Sequence, residues 1–383
     1  MSPPNALVLS SRIREEARRL GFFKAGIASV GPLPYDEHFR RWLQERRHGT
    51  MDYMERQASK RLNPSLVPAN ARSIVVLAMN YNTAQALTNA PLKGRISRYA
   101  WGDDYHTIVG IRLEKLLDFI KTQEPFADGI CYVDTGPIME KVWGAQTSLG
   151  WMGKNTNLIV RGHGSWFFIG VILLDLELAF DSKERDFCGG CSRCIKACPT
   201  GAIVGPYVLD ARLCISYLTI ELRGPIPRRL RPLIGNRIYG CDDCQEACPW
   251  NRFAVQTPER GFNPRDGNLM PNLIPLLRIT PREFKERFRN SPIRRATRDG
   301  FVRNIAVALG NSGMDEAVPA LGEALRDTSP LVRIHAAWAL GQIASRPACL
   351  NLQSARSGES DPLVLDEINL ALKKTIAATG AIT

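Results

Sequence analysis

A chain of 383 residues, 44% hydrophobic and 23% charged, is long enough for two or three domains and has the make-up of a globular protein, not of a disordered or fibrous one. Fifty Lys and Arg against 38 Asp and Glu leave a formal charge of +12 at pH 7, an excess that suits a polyanionic partner. The longest apolar run, WFFIGVILL at 166–174, is far too short to span a bilayer as a helix and runs into Asp175 and Glu177, so no membrane partner is expected.

Residues 1–180 alternate helical and strand patterns. SSRIREEARRLGF has apolar positions at helical spacing behind a Ser10/Ser11 cap, and SIVVLAMNY is a strand rich in β-branched residues. HTIVGIRLEKLLDFIKTQ predicts a strong amphipathic helix, and GICYVDTGPI a strand entering a turn. NLIVRGHGSWFFIGVILL predicts a hairpin that turns at Arg161-Gly162-His163-Gly164. The expected sum is an α+β domain over 1–180, followed by a compact cysteine-rich module over 181–255 and a linker plus helical domain over 256–383.

The cysteine module carries the clearest chemistry. Cys188, Cys191, Cys194 and Cys198-Pro199 follow the x2-x2-x3 spacing of bacterial ferredoxins, in which three cysteines bind one 4Fe-4S cube and the fourth reaches a neighbouring one. A second run, Cys241, Cys244 and Cys248-Pro249, lacks its first cysteine, and Cys214 is the spare thiol between the runs. The crossed rule assigns Cys188, Cys191, Cys194 and Cys248 to one cluster and Cys198, Cys214, Cys241 and Cys244 to the other. Zinc modules also use paired CxxC units but rarely this spacing ending in Cys-Pro. The start, MSPPNALVLSS, does not read as a secretory signal, so reduced thiols in the cytoplasm are expected, with Cys131 and Cys349 in the core.

Residues 221–304 hold 17 Lys and Arg against 9 acidic residues, most densely in TPREFKERFRNSPIRRATRDGFVRN. The guanidinium fork suits phosphate, which makes Arg287, Arg289, Arg294, Arg295, Arg298, Arg303 and Arg333 candidate nucleic-acid contacts; a solvated helix face is the alternative. VRNIAVALGNSG at 302–313 recurs as VRIHAAWALGQIA at 332–344, and with a last helix at 364–379 this predicts a short HEAT-like array.

SRYAWGDDYH (97–106), YVDTGPIMEK (132–141), GWMGKNTNLI (150–159), CISYLTIELRG (214–224) and YGCDDCQEACPWN (239–251) together resemble the epoxyqueuosine reductase family. The resemblance implies a cobalamin-dependent enzyme with two 4Fe-4S clusters that removes the epoxide oxygen of epoxyqueuosine at the wobble position of a GUN-anticodon tRNA. It also implies an α/β sandwich-type cobalamin-binding domain resembling the reductive dehalogenase core, a ferredoxin-like module and a HEAT-like tail. A flavodoxin or ferredoxin is the kind of electron donor expected, and a monomer the expected state. No Asp-x-His-x-x-Gly ligand motif occurs, so the corrinoid rests on the resemblance.

Asp134 ends a predicted strand before Gly136-Pro137, where a side chain can project into a cleft, although a turn aspartate bonding its own backbone fits the residues too. The resemblance makes it the general acid, which asks for a desolvated site that raises its pKa. Ser97, Tyr105, His106, Lys141, Trp151, Met152, Gly153, Lys154 and Ser216 are implied as corrinoid-pocket residues; Lys141 stands where the family pattern has arginine. The glycines of GWMGKN would admit a flat ring, or simply serve a tight turn. A corrinoid iron-sulfur reductase of a small molecule is the competing function, favoured by the clusters and disfavoured by the arginine-rich tail.

Overall fold

The apolar runs become neighbouring strands of one antiparallel sheet. Its strands are β1 (Lys24–Ser29), β2 (Ser73–Asn80), β3 (Gly129–Tyr132) and, after two short strands β4 (Trp151–Met152) and β5 (Leu158–Ile159), β6 (Phe167–Leu174). They lie in the order β1-β2-β6-β3 with every neighbouring pair antiparallel. The inner strands β2 and β6 are buried almost throughout, which is why their sequences read as continuous apolar runs, not as alternation. Helices α1 (Pro3–Arg19) and α2 (Tyr105–Gln123) pack together, α1 against β1 and α2 across β6. Ile74, Val76, Val171 and Leu173 pack instead with Phe39, Ile138 and Trp143 in a cluster that includes residues next to the short helix α3 (Glu140–Gly144).

The computed structural model describes residues 3–68, 70–83, 85 and 90–379, and these divide into two units, each gathered from separate stretches of chain. The sheet belongs to the first, made of residues 1–84, 103–211 and 242–263. The second takes residues 85–102, 212–241 and 264–383, so compactness does not follow the consecutive cuts at 180 and 255.

Two expectations in the first unit are corrected. The 160–164 turn forms, with His163 and Gly164 N–H donating to the Val160 carbonyl at 3.0 and 2.9 Å, but its arms part company. Residues 158–159 pair with β4, whereas β6 enters the main sheet between β2 and β3. Helix α1 begins at Pro3, so Ser10 is no cap; its hydroxyl donates to the Ala6 carbonyl at 2.7 Å and accepts from Ala179 N–H at 2.9 Å.

The second unit is helical: α4 (Ile215–Ile220), α5 (Thr297–Ser312), α6 (Val318–Ala324), α7 (Pro330–Ile343), α8 (Arg346–Arg356) and α9 (Pro362–Thr379). Each repeated Ala-Leu-Gly triplet marks a close crossing. A Cβ on Gly310 would sit 2.8 Å from the Ala339 Cα, and one on Gly341 2.8 Å from the Ala371 Cα, so α5 packs on α7 and α7 on α9 only because glycine stands there.

Buried polar side chains of these helices clamp the 214–241 connection. Arg303 is fully buried, and its guanidinium donates to the carbonyls of Leu222 and Gly224 at 2.8 Å, of Leu218 at 2.6 Å, and to Asn304 Oδ1. Asn304 Nδ2 donates to the Thr219 and Ile238 carbonyls at 2.8 and 2.9 Å. His335 accepts the Ile226 N–H at Nε2, 3.1 Å, while its Nδ1 faces the Leu331 carbonyl at 2.7 Å; burial holds its pKa well below the usual value, so the ring is neutral. Arg231 pairs with Glu367 at 2.9 Å out of solvent.

Arg303 is therefore no phosphate contact. Arg333 is also committed, to Glu359 at 2.7 and 3.0 Å, and Arg298 to Asp327 at 2.6 Å. Arg303→Ala should remove the guanidinium from one buried and two partly buried carbonyls and leave a cavity behind, a loss of about 2–5 kcal/mol. Urea or thermal unfolding checks this; an unchanged midpoint would show the clamp to be dispensable.

Candidate functional site

Strand β3 delivers its chain into a turn whose geometry is set by one residue. Asp134 adopts φ 58°, the left-handed conformation that Asp tolerates better than most side chains, and its own N–H donates to Glu140 Oε1 at 2.7 Å. Gly136 admits the Tyr132 ring, which a Cβ would meet at 2.5 Å. The Asp134 side chain is exposed, and Tyr105 Oη donates to its Oδ2 at 2.8 Å.

Tyr105 can do this because α2 begins there. Asp104 caps the helix by accepting the His106 N–H at 3.0 Å, and the Tyr105 ring is stacked on Phe168 of β6, centroids 4.2 Å apart and nearly parallel. His106 stacks on the same tyrosine at 4.1 Å and sets its Nδ1 2.6 Å from Asp104 Oδ1, which leaves Nε2 as its outward nitrogen. On the other side of the turn Lys141 Nζ donates to Asn157 Oδ1 at 2.7 Å, and the Asn157 amide points at Cys244 Sγ, 4.0 Å away. A polar path thus runs from the Asp134 turn to Cys244 of the second cysteine run within one unit.

The desolvation expected at Asp134 falls on Glu140. Burial, then the Asp134 charge, raise its pKa to about 8 against the lowering influence of the Asp134 N–H, Lys141 and Arg61. Arg61 is itself buried beside these carboxylates, with its Nε lacking a hydrogen-bond partner and its guanidinium 5.8 Å from the Tyr53 ring centre. Glu140, Asp104, Arg61 and Asn157 were missed in the sequence; the Glu of IMEK and the Asn of KNTN lie inside the quoted motifs but carry no signal separating them from ordinary polar residues.

The cysteine loops sit on short helices, Arg193–Ala197 and Asp243–Glu246, that pack on each other. Cys188, Cys194 and Cys191 lie near enough to Cys248 to act on it electrostatically, and burial raises the free thiols of Cys188, Cys194 and Cys248. Among the described residues no three His, Cys, Asp or Glu side chains converge to hold a single metal ion. The donors around Cys248 are all thiols, which fits an iron-sulfur core, and the Ala202 N–H donates to Cys198 Sγ at 3.2 Å, as amides do around sulfur-rich centres.

GWMGKN serves this loop. Lys154 Nζ donates to the carbonyls of Gly189 and Cys191 at 2.5 and 2.9 Å, and its N–H faces the Cys188 thiol. The Trp151 indole N–H points the same way without closing a hydrogen bond. Gly150 and Gly153 are explained by the β4–β5 hairpin, where added Cβ atoms would meet the Ile159 carbonyl at 2.1 Å and its Cδ1 at 2.6 Å; Met152 is half-buried in the same hairpin. Ser97, Ser216, Cys214 and Cys241 belong to the second unit, where Ser97 is almost wholly buried and its N–H donates to the Tyr239 carbonyl at 2.8 Å.

Thiols in the ferredoxin pattern move single electrons, and Lys141 and Asn157 join the Asp134 turn to one of them: the class is an iron-sulfur oxidoreductase. A model described as a 4Fe-4S double cluster binding domain matches residues 187–251, one of epoxyqueuosine reductase QueG, DUF1730, matches 61–135, and one of HEAT repeats matches 295–373. The epoxyqueuosine reductases of Pseudomonas aeruginosa and Escherichia coli K12 are 44% and 42% identical to this chain, covering 89% of it and 96% and 92% of their own lengths. The chain belongs to the epoxyqueuosine reductase family.

Among solved structures, an epoxyqueuosine reductase with a tRNA-Tyr epoxyqueuosine-modified stem loop superposes with a TM-score of 0.88 at 31% identity over 96% of this chain and 98% of that one. The Bacillus subtilis enzyme, solved with its catalytic aspartate loop swung out of the active site, gives 0.88 at 30% identity over 96% and 98%.

The Glu140 pKa has a consequence for stability. Below the ordinary glutamate value of 4.5 the carboxyl is protonated folded or unfolded; between there and about 8 only the folded chain keeps the proton. Stability should fall as pH rises through that window and level off above it. Glu140→Gln should flatten the dependence, read as urea midpoints at a series of pH values for both proteins. Parallel curves would place the buried proton elsewhere.

Proposed function

We propose that this chain reduces epoxyqueuosine to queuosine at the wobble position of a GUN-anticodon tRNA. Two 4Fe-4S clusters, on Cys188, Cys191, Cys194 and Cys248 and on Cys198, Cys214, Cys241 and Cys244, pass electrons to cobalamin, and Asp134 gives the proton. The reading takes the chain as a cytoplasmic monomer served by a flavodoxin or ferredoxin. Its main support is the Tyr105–Asp134–Glu140 constellation in a member of this family. The first cysteine set is also supported by the mutual proximity of its thiols; the second rests on sequence spacing.

Deoxygenating an epoxide to an alkene takes two electrons and two protons and releases water. Cobalamin, when bound, would supply the low-potential cobalt that delivers both electrons to one carbon centre. The residues around the turn are chemically suited to a polar macrocycle: the buried Nε of Arg61 and the indole N–H of Trp143, three residues after Glu140, are donors without partners. Tyr105, His106 and Lys141 would face it together with Met152 and Gly153, and Ser97 and Ser216 join them on motif match, while Trp151 and Lys154 serve the Cys188 loop.

Asp134 then acts at the leaving oxygen. It is exposed in the open turn, where a nucleotide can reach it. Tyr105 Oη holds Oδ2 and leaves Oδ1 to face the substrate. Glu140, protonated below about 8, fixes the turn without adding a second negative charge beside the acid. His106, oriented by Asp104, is placed to take part in delivering the second proton.

The RNA side rests on fewer arginines than the composition suggests. Arg287, Arg289, Arg294 and Arg295 have exposed side chains, Arg295 in a pair with Glu221 at 2.8 Å and Arg287 stacked over Phe288. These exposed cations favour the tRNA over a small-molecule substrate.

Asp134→Asn should keep iron, corrinoid and stem-loop affinity while turnover falls by about 10² to 10⁴. Parent-rate turnover would transfer the acid role to His106 or water. For binding, Arg289→Ala with Arg294→Ala should lower the slope of log affinity against log salt by about 0.7–0.9 for each phosphate that is no longer neutralised. A slope equal to the parent's would leave these two arginines as solvated surface.

A further inference from the structure

A groove of about 490 Å³ opens in the first unit between Arg161-Gly162 and the four residues Pro249, Trp250, Arg252 and Phe253. Its two walls are fixed to each other. Asn251 Oδ1 accepts the Ser165 N–H at 2.6 Å, its Nδ2 donates to Ser165 Oγ at 3.1 Å, and Gly164 lies so close that a Cβ there would meet Asn251 Oδ1 at 2.1 Å. The groove is therefore a formed surface, not a gap between loose loops.

The floor is aromatic and the rim cationic. Trp250 packs edge-on against Trp151, centroids 5.0 Å apart, and lies 5.8 Å from Phe187 and 6.0 Å from Phe253. Arg161 and Arg185 each lie over the Phe187 ring, at 5.6 and 5.3 Å, and Arg252 lies over Phe253 at 4.5 Å. All three arginines are exposed, and none forms an ion pair among the described residues. Phe253, 44% exposed, leaves apolar surface inside this ring of charge.

What lies beneath decides its use. Trp250 of the floor follows Cys248 by two residues, and Phe187, packed against it, immediately precedes Cys188, so the floor and the ring beneath it adjoin two of the four thiols that neighbour one another. Electron tunnelling falls steeply with distance, so a reductant must approach the cluster edge closely. Here a single residue of chain separates the floor from a ligand. A cationic rim on an apolar patch matches an acidic surface and speeds its encounter, as suits a partner that must leave after each electron.

We propose that this groove is the docking site of the electron donor, a small one-electron carrier protein with acidic residues around its redox centre. Each encounter oxidises the carrier by one electron and reduces the cluster on Cys188, Cys191, Cys194 and Cys248 by one; two encounters supply one epoxide reduction. The inference rests on the proposed function for the fate of the electrons, but not for the docking itself. Exposed Arg and aromatic side chains could also stack RNA bases. The rings here meet edge-on and are mutually packed, and the position beside the thiols gives an RNA nothing to do.

The test uses cluster-loaded full-length protein and reduced flavodoxin as probe. In Arg161→Glu with Arg252→Glu, the rate of cluster bleaching by flavodoxin in stopped flow, without tRNA, should fall about tenfold or more and lose most of its salt dependence. Iron content, cluster reduction by dithionite, dithionite-driven turnover and affinity for the tRNA stem loop should match the parent. Arg161→Gln with Arg252→Gln should give an intermediate rate, a second reading should the charge reversals disturb the fold. An unchanged flavodoxin rate overturns the proposal, and so does a loss of stem-loop affinity, which would make the groove an RNA platform. A parent protein that bleaches with flavodoxin yet never reduces epoxyqueuosine would sink the proposed function and leave the docking site standing.

Discussion

One backbone hydrogen bond, from the Asp134 N–H to Glu140 Oε1, holds the site in its observed form. A residue other than glycine at φ 58° costs on the order of 1–2 kcal/mol, and the hydrogen bond from its N–H to the Glu140 carboxyl returns about 1 kcal/mol of that. The neighbouring contacts follow from this closure. It keeps Asp134 within reach of Tyr105 and starts α3 at Glu140, so that Lys141 falls opposite Asn157. The sheet supplies rigidity from behind: β3 pairs with β6 through Tyr132 and Val171, and Phe168 of β6 supports the Tyr105 ring.

A similar economy governs the second unit. The 214–241 connection is broken into short helices and one short strand, and carbonyls at their ends and between them are met by Arg303, Asn304 and Asn311. An arginine with five N–H donors can answer several carbonyls at once where the chain is irregular, and that is the use made of Arg303. The arginine excess of residues 221–304 thus has two uses, an internal one and a surface one. Composition registers the sum and cannot divide it, because the division depends on which face of α5 meets the connection.

What the sequence disclosed follows physical range. Strands β2 and β6, helix α2 and the repeated Ala-Leu-Gly crossings are local patterns that burial on both faces or close helix contact imposes, and they were legible as such. The cysteine spacing was legible because cluster geometry constrains neighbours in sequence. The arms of the 160–164 turn were not, since strand partners are chosen by the whole sheet, and β6 finds β2 from far along the chain. Ser10 resembled a cap because a hydroxyl before an apolar pattern usually is one; here it serves Ala179, distant in sequence. Glu140 escaped notice for a related reason: its environment is made by Arg61 and by the turn closing on it, neither of which spacing reveals.

The two carboxyl groups of the turn divide a conflict that one could not resolve. Holding a proton at neutral pH calls for burial, whereas reaching a molecule outside the protein calls for exposure. Glu140 takes the burial and remains protonated to about 8, while Asp134 stays at the surface with one oxygen held by Tyr105. Because Glu140 holds its proton to about 8, the hydrogen bond that closes the turn sets no full negative charge beside Asp134. One turn thus offers an exposed carboxyl oxygen at the surface and, one hydrogen bond behind it, a carboxyl that keeps its proton, a division that neither residue could make alone.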